Sequence, residues 1–234
     1  MNTFVLRDIP FKLDPEGLMR KLRVKPETHY ADEFIRLANE AQEVARPKAL
    51  YGISFIDNST DDSVTLDGIT FRSRVLAVNL EDVNRVFAYV ATCGTEIEEW
   101  SKSGAEDLLQ SFWMDAIKEA ALRAAMPVLR KAIVSGHKLG KISTMAPGSL
   151  GDWPIQQQKP LFKLLGDTEG MIGVRLTESF LMLPPKSVSG IWFPTETRFE
   201  SCQLCPRPRC PNRRAPHDSE LFEIRYERVV IGED

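Results

Sequence analysis

Leu50-Tyr51-Gly52-Ile53-Ser54-Phe55-Ile56, followed by Val64-Thr65-Leu66-Asp67-Gly68-Ile69-Thr70-Phe71, is the stretch that sets the fold class. An Asp-Gly pair between alternating apolar positions is the strongest short-range hairpin signal a sequence can carry, so residues 49–72 read as strands. Val86 to Ala91 reads as another, ending at Thr92-Cys93-Gly94. Upstream, Phe4 to Leu13 is strand-like. Asp14-Pro15-Glu16 then starts a helix, with an N-cap, a proline in the first turn and an early acid. A second helix over Ala31 to Ala45 places Phe34, Leu37, Ala38, Ala41 and Val44 on one face and stops before Pro47.

Downstream, Glu106 to Val134 reads as the longest helix. Polar residues recur every three or four positions, Arg123, Arg130 and Lys131 among them, so only a narrow stripe faces water and the helix is a central spine. Pro127 is expected to kink or break it. Past His137, Gly- and Pro-rich loops alternate with short strands: Val174 to Leu176, Leu181 to Leu183, Ser187 to Phe193 and Leu221 to Ile231. A short helix over Leu161 to Leu165 lies among them. Central helices with strands at both ends describe an α+β fold, helices packed on a mostly antiparallel twisted sheet. No repeat or linker divides the chain, which reads as a single domain over 1–234.

With 234 residues, 43% hydrophobic and 27% charged, the chain has the composition of a soluble globular protein. Thirty basic against thirty-three acidic side chains give a net charge of −3, which removes the case for generic nucleic-acid binding. No apolar run is long enough to span a bilayer, and the first residues lack a signal-peptide layout. A cytoplasmic protein is expected, with neither nucleic acid nor membrane as partner.

Two segments carry a family resemblance. The first is Met145-Ala146-Pro147-Gly148, followed by Trp153-Pro154 and the helix holding Leu161-Phe162-Lys163-Leu164-Leu165. The second is Arg175-Leu176-Thr177-Glu178-Ser179-Phe180-Leu181-Met182-Leu183-Pro184, leading into Lys186-Ser187-Val188-Ser189-Gly190. Over roughly residues 141 to 193 the chain resembles the activation domain of cobalamin-dependent methionine synthase. The resemblance implies that S-adenosylmethionine is bound for reductive remethylation of a corrinoid carried by a partner protein. An electron donor protein supplies the electron, and the chain acts as an accessory of methyl transfer.

It also implies a binding site at Ala146, Pro147 and Gly148, Thr177, Glu178 and Ser179, and Ser189 and Gly190. A side-chain-poor turn lets backbone approach a ligand closely, and a carboxylate flanked by hydroxyls suits an ammonium or sugar. Trp192 and Phe199 lie near where the family stacks an aromatic ring. Two positions depart from the family pattern. The arginine usually found four positions before the Gly is Thr144, and the tyrosine usually following the Gly is Ser149. Threonine cannot reproduce a bidentate pair with a ligand carboxylate.

Of four cysteines, Cys202, Cys205 and Cys210 fall within nine residues. Together with prolines and arginines they make residues 200–218 a Cys/Pro/Arg-rich insertion. In a reducing compartment such clustering reads as metal binding, either a [4Fe–4S] cluster or zinc, with His217, Asp218 or the distant Cys93 as the fourth ligand. Free thiols are the third possibility. Arg207, Arg209, Arg213 and Arg214 surround the cysteines and favour thiolate. His29 and His137 read as surface residues and Cys93 as a small core residue.

The leading expectation is a stand-alone reactivation protein for a cobalamin-carrying methionine synthase. Its rivals are a metal-stabilised module that has lost S-adenosylmethionine binding, and an electron-transfer partner of another corrinoid protein.

Overall fold

Asp67 and Gly68 take φ of 43° and 78° and close a two-residue turn between β3 (Ser63–Leu66) and β4 (Ile69–Arg72), pairing Leu66 with Ile69 and Val64 with Phe71. Left-handed backbone at both central positions matches the turn to the twist of the strands. This hairpin is one edge of an antiparallel sheet in a computed structural model that describes residues 2–105 and 107–227.

The long β2 (Lys48–Ser59) pairs with β3 at its far end, with β1 (Asn2–Leu6) at its near end and with β5 (Arg85–Thr92) on its other side. Beyond β5 come β9 (Ser187–Pro194) and, at the opposite edge, β6 (Ile142–Met145), giving the order β4-β3-β2-β5-β9-β6. Strand periodicity divides β5 between two cores. Phe87, Tyr89 and Ala91 face one, while Val86, Ala88 and Val90 face the other.

On the first face pack α1 (Pro15–Leu22), α2 (His29–Val44), α4 (Thr95–Gly104) and α5 (Leu108–Gly136), through Phe34, Leu37, Ile97, Trp113, Ile117 and Leu129. On the second pack α3 (Arg74–Asn79), α6 (Gln158–Leu165), α7 (Thr168–Ile172) and α8 (Leu221–Tyr226), through Leu76, Leu161, Ile172 and Tyr226. Each fully buried side chain of this kind contributes roughly 1.5–3 kcal/mol relative to exposure. Two ion pairs hold α5 to its surroundings. Lys118 meets the almost buried Glu98 of α4 at 2.9 Å, and Lys186 meets Asp115 at 2.8 Å.

Several sequence expectations need correction. The first strand stops at Leu6 rather than Leu13, four residues short of Pro10, which lacks a ladder donor. Leu221 to Tyr226 is a helix, not a strand, because Asp218 Oδ1 accepts the N–H groups of Glu220 and Leu221 at its start. Residues 228–231 of that expected strand, like Glu106 of the longest helix, lie outside the described residues. Helix α5 continues through Pro127 without a break. Its first turn is not a narrow polar stripe: Leu108 is 89% exposed and Phe112 is exposed beside it. His137 is half-buried, its ring against Phe87 and Phe4 and its Nε2 3.3 Å from the Tyr51 hydroxyl. Burial, with Arg85 nearby, pulls its pKa below the usual 6.5.

Candidate functional site

Strand β6 is an edge strand, so the chain leaving it turns at the rim of the sheet. Met145 points into the second core, and the next residues form a tight turn. The Ser149 N–H and hydroxyl both donate to the Ala146 carbonyl, at 3.1 and 2.6 Å, and the Gly148 N–H donates to Trp153 at 2.7 Å. Gly148 has φ of +83°, and a Cβ there would lie 2.7 Å from the Ile155 side chain. Glycine is the residue this turn requires. The loop behind it is anchored by Asp152, whose carboxylate accepts the Ser73 hydroxyl and the N–H groups of Arg74 and Val75 at the start of α3. Trp153 is fully buried against Phe71, which closes the loop over the second core.

On the opposite face of β6 lies a cavity of about 170 Å³, lined by Thr144, Tyr89 and Trp192 from the sheet and by Arg130 from α5. Arg198, Glu200 and Arg214 close its other side. The Tyr89 and Trp192 rings stand 4.8 Å apart. Gly190 is what lets them sit there, since a Cβ at that position would come within 2.7 Å of the Met145 carbonyl and 3.1 Å of the Tyr89 hydroxyl. Burial pushes the Tyr89 phenol up, and hydrogen bonding with Thr144 opposes that shift. Tyr89 is therefore a neutral donor or acceptor in the cavity wall.

The charges in this cavity are unevenly satisfied. Glu200 is only 8% exposed. Arg198 donates through Nε and a terminal nitrogen to Glu200 Oε1, at 3.1 and 2.8 Å. Arg214 Nε lies 3.0 Å from Oε2, an ion pair by distance that lacks hydrogen-bond alignment, so Oε2 remains a buried acceptor with no hydrogen bond. Arg130 has neither ion pair nor hydrogen bond among the described residues. One face thus offers the exposed Arg130 guanidinium, a buried carboxylate between two arginines with one oxygen not hydrogen-bonded, and an aromatic wall. That combination suits a small zwitterion attached to an apolar or aromatic body.

The hydroxyls of Thr177 and Ser179 are 3.0 Å apart in the loop joining β7 (Arg175–Leu176) to β8 (Met182–Leu183), and Thr177 Oγ1 accepts the Leu181 N–H. Glu178 is exposed at the tip of this hairpin. Among the described residues no hydrogen bond or ion pair joins that tip to the Ala146–Gly148 turn. Pro147 is buried beneath the turn. Ser189 is buried with its hydroxyl unpartnered, on the second-core side of β9. Phe199 is buried beside Tyr226, away from the cavity lining.

The cysteine segment is built around an arginine. The Arg213 guanidinium donates to the carbonyls of Cys202, Cys205, Ala215 and Arg207. Among the described residues no three His, Cys, Asp or Glu side chains come together as a metal site. This arrangement lends the expected zinc or iron–sulfur centre no support, and the four carbonyls that shape the loop converge instead on the Arg213 guanidinium. Asp218 caps α8 and His217 is exposed. Cys93 is fully buried in the first core, where burial and the neighbouring Glu98 push its thiol to about 12, a neutral core residue and no thiolate ligand. Cys202 is itself buried enough to disfavour charge, but N–H groups of Arg214 and Ala215 and the Arg214 charge outweigh this and lower its pKa. Cys205 lines a crevice of about 440 Å³ together with Gly148 and Ser149, so the segment does border the turn.

Sequence reasoning missed Arg130, Arg198 and Glu200 as site residues. Arg130 carried only the signal of a polar position on α5, and the link to Glu200 is made by tertiary packing.

Two comparisons bear on this arrangement. Residues 145–201 match the family described as Vitamin B12 dependent methionine synthase, activation domain, which covers the turn, α6, the hairpin and β9. The fold is similar to the crystal structure of the MetH reactivation domain bound to AdoHcy, with a TM-score of 0.56 and 16% identity over 86% of this chain and 81% of that one. No match was found among curated proteins. The resemblance and the α+β fold read from the sequence are both borne out. No helix among the described residues is long and apolar enough to cross a membrane.

Proposed function

We propose that this chain binds S-adenosylmethionine and serves the reductive remethylation of a corrinoid carried by a cobalamin-dependent methionine synthase. The observation that carries the reading is the charge cavity on the first-core face of β6, to which Trp192, Arg198 and Glu200 of the matched segment contribute. The solved reactivation domain of the same fold holds AdoHcy, a ligand with the same amino-acid end.

In this reading Arg130 takes the ligand carboxylate, the task for which Thr144 lacks the chemistry. Glu200 Oε2 takes the ammonium, and the Tyr89–Trp192 wall covers the apolar part. Gly190 makes room for the Tyr89 ring, and Ala146, Pro147 and Gly148 remain candidates for ligand contact at the end of β6. Thr177, Glu178 and Ser179 remain candidates for ligand or partner contact at the hairpin tip, as does Ser189 beneath the strand. S-adenosylmethionine supplies an activated methyl group when bound. The protein's residues hold its amino-acid end, exclude water from one side and leave the other open to a partner. The corrinoid belongs to the partner, and the electron to a donor protein.

The test mixes the protein with an inactive cobalamin-carrying methionine synthase, S-adenosylmethionine and a one-electron reductant, and follows the corrinoid absorption spectrum. Methylcobalamin should appear only when all are present. An unchanged spectrum with competent partner and reductant would exclude the role.

A further inference from the structure

Cys202 and Cys205 stand in a run of three consecutive i→i+3 hydrogen bonds: Gln203 to Glu200 at 2.8 Å, Leu204 to Ser201 at 3.2 Å and Cys205 to Cys202 at 3.3 Å. In such a 3₁₀ turn residues three apart are eclipsed and rise roughly 6 Å, so the two cysteines share one face. That separation lies inside the Cα–Cα range of about 4.4–6.8 Å that a disulfide needs. Both side chains are partly exposed. The Arg213 guanidinium fixes the loop through the carbonyls of both cysteines, so the turn does not depend on a bond between the two sulfurs. The Arg214 N–H lies 3.4 Å from Cys202 Sγ, marking that sulfur as the one held as an acceptor. Arg207, Arg209, Arg213 and Arg214 against Glu200 and Asp218 give the segment a net positive charge.

We infer that Cys202 and Cys205 form a reversible dithiol–disulfide pair that exchanges with an anionic low-molecular-weight disulfide of the oxidised glutathione type. The Cys202 thiolate attacks one sulfur of the small disulfide, forming a mixed disulfide and releasing one thiolate. The Cys205 thiolate then attacks Cys202 Sγ, closing the intramolecular bond and releasing the second. Two protein thiols lose two electrons and their protons, and one small disulfide becomes two thiols. Arginines around the pair attract the acidic reagent. Arg214, which touches both Cys202 and Glu200, joins this pair to the charge cavity. The inference stands without any ligand in that cavity.

The full chain, purified under reducing conditions and assayed for zinc and iron, is equilibrated with oxidised and reduced glutathione at several ratios. Remaining thiols are alkylated and the peptides weighed by mass spectrometry. In oxidising mixtures the four thiols should fall to two, with the bond between Cys202 and Cys205, and dithiothreitol should restore all four. Cys205→Ser should instead trap one glutathione on Cys202, while Cys210→Ser should form the native bond unchanged. Melting curves of both variants confirm folding. The inference is overturned if Cys210 replaces Cys205 as the partner, or if all thiols stay free at oxidising ratios. Stoichiometric zinc or iron shielding Cys202 and Cys205 from alkylation would overturn it equally.

Discussion

Glu200 is the residue on which the site turns, because it is buried between two arginines, with Oε1 hydrogen-bonded to Arg198 and Oε2 3.0 Å from Arg214 but without a hydrogen bond. Glu200→Gln preserves shape and removes the charge an ammonium would meet, and Arg130→Ala removes the free guanidinium. Each should weaken S-adenosylmethionine binding by one to two decades, since a charge-assisted hydrogen bond contributes roughly 1.5–3 kcal/mol. Titration calorimetry reads the affinity, and an unchanged value in both variants would place the ligand elsewhere. Gly148 is a poorer probe. With φ of +83° and Ile155 in the way, Gly148→Ala should cost about 1 kcal/mol or more of stability in urea before any ligand is considered. His137 makes a separate forecast. Its folded pKa lies below the unfolded value, so the unfolded chain binds the proton more readily. Stability should therefore fall as pH drops below about 6.5, and His137→Gln should flatten that slope in urea melts.

Among the elements, the hairpin, α1, α2, β5 and β9 were legible because each combines a period with an unambiguous stop, such as Asp67-Gly68 or Asp14-Pro15. Helix α4 was not. Its sequence, Thr95 to Gly104, shows few apolar side chains, and its place is fixed by Ile97 in the core and by Glu98 on Lys118. Helix α8 resembled a strand because the signal that starts it, Asp218, was weighed as a metal ligand. In α5 the proline proved compatible with continuity, being at an exposed position where its ring meets solvent. Pro127 still removes an N–H from the helical ladder, so Pro127→Ala should raise the melting temperature, by up to ~3 kcal/mol in stability. A fall instead would mean that the proline's local geometry is needed to pack Met126 and Arg130.

At the scale of the molecule, the sheet separates two cores, and the candidate site lies where its β6 edge meets α5 and the arginine-held cysteine loop. The turn and β9 were readable as a family pattern, since that information is local. The cavity was not, because Arg130 and Glu200 come from elements seventy residues apart and only packing brings them together. The cysteine spacing was legible as chemistry, the metal centre expected from it finds no support in the arrangement, and sequence spacing cannot show that Arg213 holds the loop. The most direct measurement is calorimetric titration of AdoHcy and S-adenosylmethionine into the protein. The account predicts saturable one-to-one binding of both, competitive with each other and weakened alike by Arg130→Ala and Glu200→Gln in folded variants. Absence of binding by the folded wild-type protein would contradict it.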